Sequence, residues 1–321
     1  MSPLLVPVVV LSGIGFVMAA LLAVGRKAFA VEVDERHEML MDILPGANCG
    51  GCGYPGCSGY ASALIEGKAK PTACPPGGAD LAQEIGSIMG VEVEDVPDLV
   101  ALIACAGDEG LAPERAIYLG VNTCDGAHAI AGGSKKCVYG CLGEGTCALA
   151  CPFDAIVLTR SKLAVVVPEL CTGCGQCVAA CPRGIIKLVP KSQQVHILCH
   201  NPDKAKLVKA VCEVGCTGCK LCNKQSPRFK MNGSLAFVDG ETEGEIPADA
   251  RLVCPQGSIF DSRVNSIMSW TMESEVRETH RKQSEEWKEA EKARKLAKKK
   301  AKAEKAAKAK KAREQEEGGS Q

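Results

Sequence analysis

The cysteine residues are the feature that most restricts how this chain can fold. The chain has 20 cysteines among 321 residues, and most occur in short groups in which two to five residues separate neighbours. Several of them are followed directly by proline. This pattern is typical of cysteines that bind metal ions or iron–sulfur clusters. Because aromatic residues make up only 4% of the chain, we expect bound inorganic groups to organise much of the fold.

The first cysteine group lies in a glycine-rich stretch near the amino terminus. It consists of Cys49, Cys52, Cys57 and Cys74. Three closely spaced thiolates on such a loop can surround one corner of a cluster, and the fourth returns after a segment of helical length. Gly51, Gly53 and Gly56 match the dinucleotide-binding spacing, but no strand precedes them, so we reject that interpretation. A four-cysteine zinc site is the alternative.

The second group has the spacing of a bacterial two-cluster ferredoxin. Residues 171–182 match the pattern C-x2-C-x2-C-x3-C-P, and residues 137–152 form a wider variant of it. In such ferredoxins the fourth cysteine of each run binds the cluster of the other run. We therefore predict one cluster bound by Cys171, Cys174, Cys177 and Cys151, and a second cluster bound by Cys137, Cys141, Cys147 and Cys181.

The third group belongs to an internal repeat. Residues 212–222 align without a gap with residues 137–147, which brings Ser226 opposite Cys151. This similarity predicts a second ferredoxin-like module. Its closing Cys-Pro is present, but residues 239–250 stand where the other cysteines of the second run would lie. One complete ligand set remains, namely Cys216, Cys219, Cys222 and Cys254.

Four cysteines remain outside these sets. They are Cys105, Cys124, Cys199 and Cys212. A single cysteine outside a group is usually a small buried side chain with no ligand role. Cys212 is also an alternative ligand for the third group. We therefore predict about four [4Fe–4S] clusters, or about 16 irons, per chain. Cys254→Ala should then remove one cluster, whereas Cys199→Ala should remove none.

The amino terminus has the pattern of a membrane anchor. Residues 4–24 carry no charge, and Arg26 and Lys27 follow them. A helix of this length spans a hydrocarbon layer of about 30 Å. A cleaved signal peptide, the alternative, carries its positive charge before the apolar run. We expect a single-pass helix in the cytoplasmic membrane with the cluster domains on the cytoplasmic side, where thiols stay reduced.

These observations predict an α+β chain in five parts. The carboxy-terminal part is rich in Lys, Glu and Ala, contains no cysteine, and should be a solvated helix or a disordered segment that cluster assembly does not need. Its scattered glutamates and lack of interleaved aromatic residues argue against nucleic-acid binding. The predicted parts are a transmembrane anchor at 1–27, a small 4Fe–4S domain at 31–95, a two-cluster ferredoxin-like module at 98–190, a degenerate one-cluster module at 191–265, and a charged tail at 273–321.

The apolar start, the spacing of the first group and the stretch GCLGEGTC at 140–147 together resemble the RnfB family. Its members are iron–sulfur components of Rnf ion-translocating oxidoreductase complexes. The resemblance implies a membrane-anchored electron relay between ferredoxin and NAD, coupled to Na⁺ or H⁺ transport. It implies soluble ferredoxin and the other membrane and peripheral subunits as partners. It also implies that the cysteines of the first two groups are cluster ligands.

Two other functions remain open on the sequence. The chain could be the iron–sulfur component of another membrane-bound reductase or dehydrogenase, or a scaffold in which zinc ions replace the clusters. Its five histidines are scattered and indicate no catalytic pair. We therefore predict no complete active site in this chain, which would act enzymatically only as one part of a translocase complex.

Overall fold

The chain folds into helices at its amino terminus followed by two small mixed modules, as seen in a computed structural model. The structure describes residues 5–28, 34–247, 249–264, 275, 278, 279, 281–294, 296 and 297. The helices are α1 (Leu5–Ala28), α2 (Glu35–Ile43), α3 (Gly56–Ile65), α4 (Gly78–Met89), α5 (Cys124–Ala129), α6 (Thr146–Leu149), α7 (Gln176–Ala179) and α8 (Ala205–Val211). The strands are β1 (Leu99–Ile103), β2 (Ile156–Leu158), β3 (Ala164–Val166), β4 (Ile186–Pro190), β5 (Val195–Ile197), β6 (Phe229–Asn232), β7 (Leu235–Val238) and β8 (Ile259–Asp261). The predicted mixture of helices and strands is confirmed.

Helix α1 covers most of the predicted anchor. Its described side chains are exposed from Leu11 to Val24. In the part of the chain that the structure describes, no helix is both long enough and apolar enough to cross a membrane. Residue 4 of the predicted span lies outside the described residues, as do the side chains of residues 5–10. The transmembrane helix therefore stays a prediction.

Helices α2, α3 and α4 form the small amino-terminal domain. Helix α2 begins after Asp34, whose carboxylate accepts a hydrogen bond from the Arg36 backbone N–H at 2.9 Å. The hydroxyl of the fully buried Tyr60 donates to the backbone carbonyl of Lys70 at 2.8 Å, which holds the segment before Cys74 against α3. The core side chains are Leu40, Leu44, Tyr60, Ala61, Leu64, Leu81 and Ile85.

The two modules share one strand arrangement. In the first module β1 pairs antiparallel with β4, and β2 and β3 form a hairpin. In the second module β5 pairs in the same way with β8, and β6 and β7 form the hairpin. Ile103 lies opposite Ile186 in the first module, and Ile197 lies opposite Ile259 in the second. The topology thus agrees with the internal repeat of the sequence.

Each module has its own apolar core, and a further group of side chains joins the two. The joining group consists of Leu102, Ala106, Leu198 and Phe260, with Val189 and Val214 packed against it. It lies at the ends of β1 and β5, directly beside Cys105 and Cys199 in the sequence. The modules are therefore packed together at the point where these two cysteines leave their strands.

Part of the charged tail packs on the second module. Residues 281–294 are helical. The hydroxyl of Ser284, which is buried, donates to the Leu252 carbonyl at 2.7 Å. The Trp287 ring contacts the core of the second module, and its Nε1–H donates to Asp249 at 3.2 Å. The expectation of a solvated segment is wrong here, because these two side chains find partners that the sequence does not reveal. Residues 273, 274, 276, 277, 280, 295 and 298–321 of the predicted tail lie outside the described residues.

Candidate iron–sulfur centres

The first cysteine set lies on the loop before α3 and on the segment after it. Its members are Cys49, Cys52, Cys57 and Cys74. The side-chain oxygen of Asn48 accepts a hydrogen bond from the Cys57 backbone N–H at 2.9 Å and so fixes the loop at the start of α3. Gly56 has a φ of +78°, and a Cβ there would lie 2.7 Å from that same oxygen. Burial raises the pKa of Cys74, and the charges of the other three cysteines raise it further, so the four thiols are neighbours.

The second set lies between β1 and the loop before α7. Cys151, Cys171, Cys174 and Cys177 line about 300 Å³ of space, including its opening to solvent. The backbone N–H of Ala101 donates to Cys171 Sγ at 3.4 Å, and that of Ala155 donates to Cys151 Sγ at 3.4 Å. Burial raises the pKa of Cys177 to about 11, with the charge of Cys171 as the next contribution. The structure thus brings together the four cysteines that the sequence grouped here.

The third set differs from the sequence prediction by one member. Cys124, Cys141, Cys147 and Cys181 line about 340 Å³ of space. The Cys124 backbone N–H donates to the Thr146 hydroxyl at 2.7 Å, which ties α5 to the helix that carries Cys147. Burial raises the pKa of Cys147 to about 12, and the charges of Cys141 and Cys124 add to that shift.

Cys137, which the sequence assigned to this third set, lies elsewhere. It lines a different space together with Cys105, Cys199 and Cys212. The internal repeat contained the signal for this placement, because Cys137 aligns with Cys212 and Glu144 aligns with the predicted ligand Cys219. The first module therefore lacks one local cysteine. The structure brings Cys124 to the third set from the long connection between β1 and α6.

The fourth set belongs to the second module. Cys216, Cys219, Cys222 and Cys254 line about 350 Å³ of space, as the sequence predicted. The backbone N–H of Ser258 donates to Cys254 Sγ at 3.3 Å. Ala155 and Cys151 make the same bond in the first module, four residues apart in both cases. Burial raises the pKa of Cys222 to about 12, with the charges of Cys254 and Cys216 next in size.

Neighbouring sets adjoin each other along the chain. The backbone of Gly51 in the first set lies so close to Cys174 of the second that a Cβ on Gly51 would be 2.7 Å from the Cys174 carbonyl oxygen. Gln176, next to that set, donates from its side-chain amide to the Cys49 carbonyl at 2.6 Å. The charge of Cys177 in the second set acts on Cys147 in the third. The first three sets therefore form a series and not isolated sites.

Comparison with known proteins identifies the family. A family model described as "Putative Fe-S cluster" matches residues 44–76, and one described as "4Fe-4S binding domain" matches residues 164–187. The chain is 40% identical to the B subunit of the ion-translocating oxidoreductase complex of Methanosarcina acetivorans, over 80% of this chain and 98% of that protein. It is 36% identical to the B subunit of the proton-translocating ferredoxin:NAD(+) oxidoreductase complex of Clostridium ljungdahlii, over 81% of this chain and 93% of that protein. The chain belongs to this B-subunit family.

A third relative in the family is longer. The chain is 46% identical over 216 residues to the B subunit of the Na(+)-translocating ferredoxin:NAD(+) oxidoreductase complex of Acetobacterium woodii. That match covers 67% of this chain and 65% of the relative, slightly less than two thirds of its length. The resemblance to the RnfB family that the cysteine motifs predicted is thus confirmed.

The cysteine sets of this family member fit iron–sulfur clusters. The two family models cover the first set and the run from Cys171 to Cys181. Among the described residues, no group of three or more His, Cys, Asp or Glu side chains could hold a metal ion directly. Cysteines around a cubane stand farther apart than those around one zinc ion, because four irons and four sulfides lie between them. The backbone N–H groups that donate to the sulfurs of Cys171, Cys151 and Cys254 suit such a group.

Proposed function

We propose that this protein is a membrane-associated electron relay of an Rnf-type complex, which passes electrons between ferredoxin and NAD and couples them to Na⁺ or H⁺ transport. The names of the Acetobacterium and Clostridium relatives support both substrates and leave the coupling ion open. The observation that carries the proposal is the series of adjoining cysteine sets, since one-electron carriers must lie close together to exchange electrons.

The proposed cluster ligands follow the sets that adjoin each other. A [4Fe–4S] cluster supplies one-electron redox chemistry when bound. The chain itself supplies thiolates, and its backbone N–H groups at Ala101, Ala155 and Ser258 donate to the sulfurs, which favours the thiolate form. The ligand sets are Cys49, Cys52, Cys57 and Cys74; Cys151, Cys171, Cys174 and Cys177; Cys124, Cys141, Cys147 and Cys181; and Cys216, Cys219, Cys222 and Cys254.

We also propose that α1 anchors the chain, with the cluster domains on the cytoplasmic side. The uncharged residues 4–24 and the two cations that follow them support this orientation. The exposure of large apolar side chains such as Phe16 (77%) and Leu22 (74%) supports an apolar environment around the helix. An impermeant protease added to intact cells should leave the domains undigested. Digestion of residues 31–321 would show that the domains lie on the outer side of the membrane.

The domain boundaries remain part of the proposal. The core around Tyr60 supports an amino-terminal 4Fe–4S domain at 31–95. The matching strand plans support ferredoxin-like modules at 98–190 and 191–265.

The decisive experiment is anaerobic purification of the chain from membranes with its partners. We expect co-purifying membrane and peripheral subunits, visible absorbance that bleaches with dithionite, and reduction of NAD by reduced ferredoxin. Purification with the subunits of a different reductase would favour the second candidate function. Zinc without iron or sulfide would contradict the relay altogether.

A further inference from the structure

Four cysteines meet between the two modules, outside the four sets described above. They are Cys105, Cys137, Cys199 and Cys212, and they line about 280 Å³ of space, including its opening to solvent. Each module contributes two of them. Cys105 and Cys199 each follow the end of an equivalent strand, β1 or β5, by two residues. Cys137 and Cys212 are aligned partners in the internal repeat. The set is therefore approximately symmetric, because the two repeated modules contribute cysteines from equivalent positions.

Glycine backbones keep the space among these sulfurs open. An ideal Cβ at Gly140 would lie 3.5 Å from Cys137 Sγ and 3.6 Å from Cys105 Sγ. One at Gly107 would lie 3.2 Å from Cys212 Sγ and 3.8 Å from Cys105 Sγ. Three sulfurs of the set therefore border one small region, and a Cβ at Gly107 would be unusually close to Cys212 Sγ.

Hydrogen-bond donors reach these sulfurs in an equally symmetric way. The backbone N–H of Cys141 donates to Cys105 Sγ at 3.4 Å, and that of its repeat partner Cys216 donates to Cys199 Sγ at 3.2 Å. The side-chain amide of the buried Asn201 donates to Cys137 Sγ at 3.7 Å. Donors of this kind stabilise thiolates and tune iron–sulfur clusters.

Buried positive charge lies beside the same space. Lys135 is fully buried, and its Nζ donates to the carbonyl of Gly107 at 2.7 Å. Among the described residues it forms no ion pair with a carboxylate. Arg183 donates to the Cys137 carbonyl at 3.2 Å. A buried cation needs anionic surroundings, and a cluster with four thiolate ligands carries net negative charge.

We propose that Cys105, Cys137, Cys199 and Cys212 bind a fifth [4Fe–4S] cluster at the junction of the two modules. This inference rests on the proposed function, because it assumes that the adjoining sets also bind clusters. The four thiolates would hold the cluster through its irons, and the cluster would supply one-electron transfer. It would accept one electron from one neighbouring cluster and give the same electron to the other, so that electrons balance and no bond is formed or broken.

The position of this set completes the series. Cys141, which donates its N–H to Cys105, belongs to the third set in the first module. Cys216, which donates to Cys199, belongs to the fourth set in the second module. The junction set thus touches one neighbour on each side. With it, all 20 cysteines of the chain fall into five sets of four.

The test measures iron, acid-labile sulfide and zinc in the full chain, purified anaerobically in its complex, together with the EPR spin count after reduction. The wild type should contain about 20 irons per chain, and Cys105→Ala and Cys212→Ala should each contain about 16. The double variant should also contain about 16, because both residues serve one cluster. The buried Ser226 serves as the control, since Ser226→Ala should keep about 20.

Several outcomes would overturn the inference. One is a wild type with about 16 irons whose count does not fall in Cys105→Ala or Cys212→Ala. Another is loss of zinc from these variants at constant iron and sulfide, which would indicate a zinc site that carries no electron. If the variants do not assemble, the metal content of the wild type decides between the two cases. About 20 irons without zinc supports the fifth cluster, and about 16 irons contradicts it. A wild type without iron would instead overturn the relay function itself.

Discussion

The two ferredoxin-like modules share a strand plan but differ in the number of cysteine sets that each completes from its own residues. The first module completes two sets and the second completes one. The difference lies between the hairpin and the closing Cys-Pro. In the first module residues 167–180 carry three cysteines, whereas the corresponding residues 239–253 carry none.

Apolar packing takes the place of the lost set. Residues of the replacing segment, Ile246, Ala250 and Val253, are buried in the core of the second module. Phe229 is fully buried beside them, and Ser226 is buried at the position that aligns with Cys151. The comparison teaches that this fold can be organised either by a cluster or by ordinary apolar side chains, because both fill the same kind of interior.

The modules also differ at the position of the second cysteine in the run Cys216, Cys219 and Cys222. Gly143 and Gly218 occupy aligned positions, both with positive φ, and both backbones press against the turn of the following hairpin. The next residue is Cys219 in the second module but Glu144 in the first. In the proposed ligand set, the missing thiol comes from Cys124, which lies on the long connection between β1 and α6.

The largest effect should come from Cys177→Ala, which removes the set that adjoins the amino-terminal domain. We expect the loss of about four irons and the loss of electron exchange between the first cluster and the rest. Rapid-freeze EPR after a limited amount of dithionite would measure this exchange. The matched control is Cys254→Ala, which should also lose about four irons but leave exchange among the remaining clusters. Unchanged exchange in Cys177→Ala would show that the order of the sets is wrong.

A second prediction moves the thiol of the third set from Cys124 to residue 144, the position that aligns with Cys219 in the second module. Cys124→Ala should lose about four irons, because the third set then has only three thiols. Adding Glu144→Cys to that variant should restore part of the iron, since the position corresponds to Cys219. Iron analysis and EPR of the single and double variants would measure both steps. If the Cys124→Ala chain kept its full iron content, Cys137 and not Cys124 would be the ligand in the third set.

A third prediction concerns the tail helix on the second module. Trp287→Ala should lower the free energy of unfolding of this module by about 1–2 kcal/mol, since a half-buried ring and its hydrogen bond to Asp249 are lost. Truncation after residue 272 should likewise speed the bleaching of visible absorbance in denaturant, whereas the sequence predicted only that cluster assembly and the visible spectrum per chain would not change. The exposed Lys292→Ala is the control. Equal bleaching rates in all variants would show that the contact contributes nothing to stability.

The smallest effect should come from Ser226, where the second module has lost a ligand position. Its hydroxyl accepts a long hydrogen bond from the Arg228 backbone N–H at 3.4 Å. Ser226→Ala should therefore change stability by about 1 kcal/mol or less and leave the iron count unchanged. Ser226→Cys should add no iron, because the three other thiols of that set are absent. Additional iron in Ser226→Cys would mean that another ligand completes the set.

The sequence by itself determined the family, the mixed fold and the repeat, and it predicted three groupings of cysteines that the structure brings together. Those sets lie within runs whose spacing fixes the local loop, or between a run and the Cys-Pro that closes the same module. Only the tertiary structure decided between Cys124 and Cys137, gathered Cys105 and Cys199 at the module junction, and placed Trp287 on the second module. These choices depend on how strands and modules pack over long separations in the chain. Spacing constrains neighbours along a loop, but a ligand that arrives from another element is positioned by tertiary packing alone.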